Sequence, residues 1–355
     1  MLADTTPSSL ENRKKGETNM KKKFSLTCLA ILALSTILTA CGGAGGNNAA
    51  GGAEGNAKRI ALVMRQNVGT FSAQYINGVK AEVEKNGGEL TVFNAEGDLA
   101  KMASNLDAAV NQHFDGILID HGTAEALQKG AEKAVNKKIP LVLFDTDIKL
   151  PGVPVVEQDD QKLADLSLEK LAADNGGKGN IVKIWVAGFA PMEKRQITYE
   201  AFLKKYPDVK EIAAFGTASN NTALDTQTQM EAILKKYPNK GDITAVWASW
   251  DEFAKGATRA IQQAGRTEIK VYGIDLSDED LQLMQEENSP WKATAAVDPS
   301  NIGRVHAETV FKKIKGEQVP DSVKLNPVLV SQEDLPKDKK VTMSDLSQYV
   351  KEWGK

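Results

Sequence analysis

The sequence predicts an α/β protein made of two parallel-sheet units in tandem. Three observations carry this. Short apolar runs such as Arg59 to Met64 (RIALVM), Gly116 to Ile119 (GILI) and Leu141 to Phe144 (LVLF) recur along the chain. Each is followed by a stretch whose apolar positions repeat with helical spacing. The alternation then restarts after Asp160 with the same rhythm. Apolar runs this short, each coupled to an amphipathic helix, are the mark of parallel strands buried on both faces.

In the first unit, Arg59 to Met64 is the opening strand. A glycine-bearing loop leads to a helix with Tyr75, Val79 and Val83 on one face, closed by Gly87 and Gly88. Glu89 to Asn94 is the next strand, and Leu106, Ala109 and Val110 mark the helix after it. Gly116 to Ile119, the helix Ala124 to Asn136 and Leu141 to Phe144 repeat the cycle. A single β-rich run, Val153 to Val156, then crosses toward the second unit. There a helix reaches about Asn175 and a strand spans Asn180 to Val186. A helix runs through Phe202 to Tyr206, and Lys210 to Phe215 follows as a strand. The helix Thr226 to Tyr237, strand Ala245 to Ala248, helix Glu252 to Ala264 and strand Lys270 to Ile274 complete the series.

The N-terminal part reads differently. Lys21, Lys22 and Lys23 precede an apolar run from Phe24 to Leu38, and Leu38-Thr39-Ala40-Cys41-Gly42 follows. A basic start, a short apolar core and small residues before a cut form an export signal, too short and wrongly flanked for a membrane span. Cysteine directly after Leu-Thr-Ala resembles the lipobox of bacterial lipoproteins, which implies lipidation of Cys41 and a membrane anchor through it. Met20 is the expected translation start, so residues 1–41 are leader and signal. Residues 42–57 are mostly Gly, Ala and Asn and read as a flexible tether.

Composition excludes several functions. Charged residues make up 26% of the chain and the net charge is −3, with no basic stripe, so nucleic acid is not an expected partner. Of the two cysteines, Cys28 leaves with the signal and Cys41 is consumed by lipid. No thiol then remains for disulfides, metal or nucleophilic catalysis. His113, His121 and His306 lack metal-ligand spacing. A Walker loop, a nucleophile elbow and a carboxylate cluster with metal spacing are all missing from the sequence, so no cofactor and no enzyme activity are expected.

In an open parallel sheet, ligands gather at the carboxyl ends of strands. The residues at those ends are Arg65 and Gln66, Asp120, Asp145 and Asp147, Ala187 to Met192, Trp250 and Asp251, and Asp275. Carboxylate, arginine and tryptophan together suit a polyhydroxylated ligand. Carboxylate oxygens accept from hydroxyls, guanidinium donates paired bonds, and an aromatic face covers the C–H side of a sugar ring. Asp145 and Asp275 could also serve as helix caps, and Arg195 could be a solvated helix residue in Glu193-Lys194-Arg195.

Several strings, taken in order, resemble the type I periplasmic binding proteins, the ribose, galactose and inositol receptors of ABC importers. They are Arg59 to Met64, Ile139-Pro140 through Asp145, and Arg195 four residues before Tyr199 in a helix running into Tyr206-Pro207. Trp247 to Asp251 followed by Ala254, Gly256 and Ala257, then Tyr272-Gly273-Ile274-Asp275, and Asn301-Ile302-Gly303 complete the set. The resemblance covers about Lys58 to Val330. It implies two Rossmann-like lobes, residues 58–158 with 298–327 and residues 159–297 with 328–355, joined by three hinge segments. It also implies a monomer that delivers a small sugar or polyol to a membrane permease. By the same resemblance Arg65, Phe71, Asp145, Arg195 and Asp275 contact the ligand, while Trp250 and Asn221 occupy places often held by asparagine and an aromatic ring. These two departures, with Ser72 after Phe71, favour a hexose or a cyclitol such as myo-inositol over ribose. An acidic sugar or linear polyol stays open because of Arg65. A chemotactic or quorum-signalling receptor on the same fold, and a lipid-anchored glycosidase using Asp145 and Asp275, are the alternatives.

Overall fold

The computed structural model describes residues 57–354, so the signal, Cys41 and most of the tether lie outside the described residues. The chain begins β1 (Lys58–Met64), α1 (Gly69–Lys85), β2 (Gly88–Asn94), α2 (Leu99–Asn111), β3 (Gly116–Asp120), α3 (Ala124–Asn136), β4 (Leu141–Phe144) and β5 (Val155–Gln158). It continues α4 (Asp160–Asp174), β6 (Lys178–Ile184), α5 (Ala190–Lys205), β7 (Asp208–Phe215), α6 (Thr222–Lys236), β8 (Ala245–Ala248), α7 (Asp251–Gln263), β9 (Lys270–Ile274), α8 (Asp278–Met284) and β10 (Trp291–Ala296). The last elements are α9 (Pro299–Ile314), β11 (Ser322–Leu325) and β12 (Val328–Ser331).

The strands form two six-stranded sheets, ordered β11-β5-β4-β3-β1-β2 and β12-β10-β9-β8-β6-β7. All pairings are parallel except the antiparallel β10–β12 pair. The core of each sheet has the same order, so β1 corresponds to β6, β3 to β8, β4 to β9 and β5 to β10. The predicted fold class, two lobes of parallel α/β structure, is what the chain adopts.

Period-two alternation divides each strand between two helical layers. Ala61 and Val63 of β1 pack with Met102, Leu106 and Leu127 of α2 and α3, whereas Ile60, Leu62 and Met64 pack with Tyr75, Val79 and Ile302 of α1 and α9. The second lobe repeats this. Val182 and Ile184 face α6 and α7, and Ile181 faces Leu168 and Phe202 of α4 and α5. Burial on both faces is why the strands read as unbroken apolar runs. Helices α1 and α9 approach closely because each offers a glycine: a Cβ on Gly78 would stand 2.1 Å from the Ser300 carbonyl oxygen, and one on Gly303 2.1 Å from that of Tyr75.

The chain passes from one sheet to the other three times, between β5 and α4, between β10 and α9, and between β11 and β12. The last four strand–helix elements of the series, from β10 onward, had no counterpart in the periodicity beyond the Asn301-Ile302-Gly303 string. Elsewhere the element bounds differ by a few residues. The sixth strand ends at Ile184 rather than Val186, and α6 starts at Thr222 rather than Thr226.

Candidate functional site

A cavity with an empty volume of about 740 Å³, mouth included, lies between the lobes. From one sheet it receives Arg65 and Gln66 after β1, Asp120 and His121 at β3, Phe144 at β4 and Gln158 at β5. From the other come Val186 and Phe189 after β6, Ala218 after β7, Trp250 after β8 and Asp275 after β9. Both sheets therefore point their carboxyl ends at one space, which is where open α/β sheets take their ligands.

One cluster of polar groups lies over β4, β5 and β9. Arg195 of α5 is only 2% exposed. Its Nε donates to Asp160 Oδ1 at 3.0 Å, Nη1 to the Ser249 carbonyl at 2.6 Å and to Asp275 Oδ2 at 3.1 Å, and Nη2 to Asp275 Oδ1 at 3.3 Å. Four of the five guanidinium N–H groups are thus engaged and one is left for a ligand. Burial disfavours the charge, but Asp275 and Asp160 alongside outweigh it and raise the Arg195 pKa. Across the cleft, Asp145 accepts from the Gln158 amide nitrogen of both backbone and side chain, each at 3.2 Å. Burial, and then the nearby charge of Asp160, push the Asp145 carboxyl up to about 7. Gln158 is 3% exposed and its Oε1 has no partner, which leaves a buried acceptor facing the ligand space.

Aromatic rings line the sides. Tyr75 stacks on Phe144 with centroids 5.4 Å apart, and its hydroxyl meets His306 Nδ1 at 2.7 Å. His306 Nε2 lies 3.1 Å from the Val142 carbonyl, an acceptor only, so Nε2 carries the proton and Tyr75 donates to Nδ1. Burial lowers the His306 pKa to about 4, in keeping with this neutral tautomer. His121 takes a left-handed backbone, φ 62°, and bonds Asp120 through Nδ1. Burial opposes its protonation, but Asp120, with Asp145 and Asp160 beyond, raises its pKa on balance.

The lobes also bond each other directly. The Arg65 guanidinium sits 3.5 Å above the Phe189 ring and donates to the Gly188 carbonyl. On one flank Gln74 donates to Asp278 at 2.8 Å and Thr70 to Glu279 at 3.1 Å; on the other Lys194 donates to Glu157 at 2.9 Å. The cleft is closed.

Of the residues chosen from the sequence, Arg65, Gln66, Phe71, Arg195, Trp250 and Asp275 line the cavity. Asp145 stands directly behind Gln158 rather than in the lining. Asp147, Asn221 and Asp251 do not reach it. Asp147 is exposed and accepts from the Ala124 nitrogen at 2.6 Å, beside the Thr123 cap at the start of α3. Asn221 is exposed at the start of α6, so its side chain says nothing about the ligand. Asp251 is fully buried beneath Trp250 with Lys255 Nζ 3.9 Å away, and burial and neighbouring Asp280 hold its pKa well above the usual carboxylate range. Tyr75, Gln158 and Phe144 line the cavity without having been chosen. Tyr75 reads as an ordinary core position of an amphipathic helix, and Gln158 ends a strand only four residues long.

Residues 60–318 match the family described as the periplasmic binding protein domain. The chain belongs to that family. The crystal structure of a sugar ABC transporter from Yersinia enterocolitica is 39% identical, with a TM-score of 0.82, covering 85% of this chain and 91% of the other. A solute-binding protein of a 5-methylthioribose transporter from Thermotoga lettingae, solved with 5-methylthioribose, is 36% identical with a TM-score of 0.81, covering 84% and 92%. The ribose import binding protein of Bacillus subtilis is 26% identical over 86% of this chain and 97% of its own length. These relatives are transport binding proteins rather than enzymes. Among the described residues, no group of acidic, histidine or cysteine side chains could hold a metal ion, and no helix is long and apolar enough to cross a membrane.

Proposed function

We propose that this periplasmic binding protein is the solute-capturing component of a sugar ABC importer and closes its lobes on one monosaccharide or polyol. The observation that carries the reading is the facing pair of ligand groups. Arg195 and Asp275 come from one lobe, and Gln158, backed by Asp145, comes from the other. A hydroxylated ligand bridging them gains contacts only in the closed state and shifts the population toward it. The three passages between the sheets would act as the hinge, near Pro154 to Asp160, Val297 to Ser300 and Asn326 to Val330. The closed form is then what a membrane permease recognises.

The relatives named above handle ribose and 5-methylthioribose, and a 32% identical structure from Agrobacterium vitis holds allitol. A small neutral sugar or polyol is the shared chemistry. Arg65 stacks on Phe189 and donates one bond to Gly188, while its buried Nε has no partner, so an acidic sugar stays open beside a neutral one. The sequence-based preference for a hexose or myo-inositol rested on Asn221, Trp250 and Ser72. Trp250 and Ser72 line the cavity and Asn221 does not, so one of the three supports is withdrawn.

We further propose export and anchoring through lipid on Cys41, supported by Leu38-Thr39-Ala40-Cys41, and a monomeric receptor. Labelled fatty acid should enter the wild-type protein and not Cys41→Ser. The binding reading is tested by thermal shift against a panel of sugars and polyols. A ligand at about 100 times its Kd adds about 2.7 kcal/mol of apparent stability. A panel without any stabilising sugar or polyol would sink it.

A further inference from the structure

Helix α1 takes no cap from its own lobe. Its N-cap residue, Val68, makes no side-chain cap bond, and its first turn holds no acidic residue. The free N–H groups and the positive end of a helix are ordinarily met by such groups. Here carboxylates of the other lobe stand in their place. A Cβ added to Gly69, the first residue of α1, would overlap the Glu252 carboxylate and stand 3.3 Å from Lys255 Nζ. Thr70 donates to Glu279 beside it. Both carboxylates are fixed within their own lobe: the buried Lys255 pairs with Glu252 and lies 3.1 Å from Glu279 Oε2, and Arg259 lies 2.6 Å from Glu279 Oε1. Burial opposes the Glu279 charge, but Lys255 and Arg259 outweigh it and hold its pKa below the ordinary value. Gln74, about 7.5 Å further along α1, exchanges two bonds with Asp278, and its carbonyl accepts from Ser300 beside the second passage between lobes. The contact therefore starts at the hinge and runs outward to Gly69. None of these residues lines the cavity.

Resting on the hinge-closure reading above, we infer that Gly69, Thr70, Glu252 and Glu279 form an interlobe latch that sets ligand affinity from outside the cavity and keeps part of the population closed with no ligand bound. Opening separates the α1 terminus from the two carboxylates, and closing restores them whatever sugar is held. Apparent affinity scales with the closed fraction, so the latch tightens every ligand by the same factor and contributes nothing to selectivity. In this it differs from Arg195, Asp275 and Gln158, which meet the ligand itself.

The test needs no sugar. Cys28 and Cys41 are the chain's two cysteines, so a full chain with Cys28→Ser and Cys41→Ser accepts spin labels only where cysteine is introduced. Ala100→Cys and Asn220→Cys place them at exposed sites beyond the carboxyl ends of β2 and β7, one on each lobe. Pulsed electron spin resonance on the ligand-free protein should show a short-distance, closed population. Thr70→Val with Glu252→Gln should reduce it at least 5-fold, Thr70→Val alone about 2-fold, and Gly69→Ala should abolish it, with circular dichroism unchanged. A parent chain that is wholly open overturns the inference. So does a closed fraction that the double variant leaves unchanged, even with a lower urea midpoint, because the carboxylates then only staple α7 to α8. Either failure leaves the sugar-receptor reading standing, which the thermal-shift panel tests separately.

Discussion

Asp145 and Asp275 occupy equivalent places, each directly after the corresponding strand of its sheet, each buried and each in a left-handed backbone, φ 45° and 70°. Their partners differ. Asp275 is gripped by two nitrogens of Arg195, whose Nε holds Asp160 as well. Asp145 has only the neutral amides of Gln158 and is crowded by the charge of Asp160. One lobe therefore presents a charged clamp held together by its own residues. The other presents a carboxyl that exchanges its proton near neutrality. Strain is stored at both positions, since non-glycine residues seldom adopt positive φ, and strand ends that carry it are where binding groups concentrate.

The largest effect expected from breaking this comparison is that of Arg195→Ala. It strands Asp275 as a buried charge and leaves Asp160 with Lys194 alone, 3.6 Å away, so stability in urea should fall by about 3–5 kcal/mol, and sugar-induced stabilisation should vanish. Asp275→Asn keeps the volume but removes the charge-assisted fork. Ligand affinity should fall about 100-fold, or about 2.7 kcal/mol, by calorimetry, with the fold retained. Asp145→Asn should instead act on pH dependence. Because the folded pKa of about 7 stands above the ordinary aspartate value of 3.8, the native state keeps a proton that the unfolded chain has released between those values. Stability then declines as pH rises through that window, and the asparagine variant should show a shallower decline between pH 4 and 7 in chemical denaturation. Asp280, also raised to about 7 by burial, keeps part of the slope. Smallest of all, Asp147→Ala should cost about 1 kcal/mol or less through the lost bond to the Ala124 N–H, Thr123 remaining as the α3 cap, and leave ligand affinity unchanged.

The same two carboxylates show what could be read without coordinates. Strands buried on both faces leave uniform apolar runs, so β1, β3, β4, β8 and β9 and the residues that end them were legible, Asp275 among them. Arg195 was chosen through family likeness alone, because Glu193-Lys194-Arg195 looks like a solvated helix face. Its burial follows from Asp160 and Asp275, which are 35 and 80 residues away. Asp147 and Asp251 carry the same local signal as Asp275, an acidic residue near a strand end. Whether such a residue caps a helix, sinks under a tryptophan or faces a cleft depends on packing from other elements. Gln158 and Tyr75 were missed because neither departs from its surroundings in the sequence, and both matter only through what the opposite lobe brings to them.

The central claim is that one ligand is held between the Arg195–Asp275 fork and Gln158. A crystal structure with the sugar that gives the largest thermal shift tests it most directly. Ring hydroxyls should lie within hydrogen-bonding distance of Asp275 and Arg195 on one side and of the Gln158 side chain on the other. A sugar touching only one lobe, or seated outside this cavity, would contradict the account.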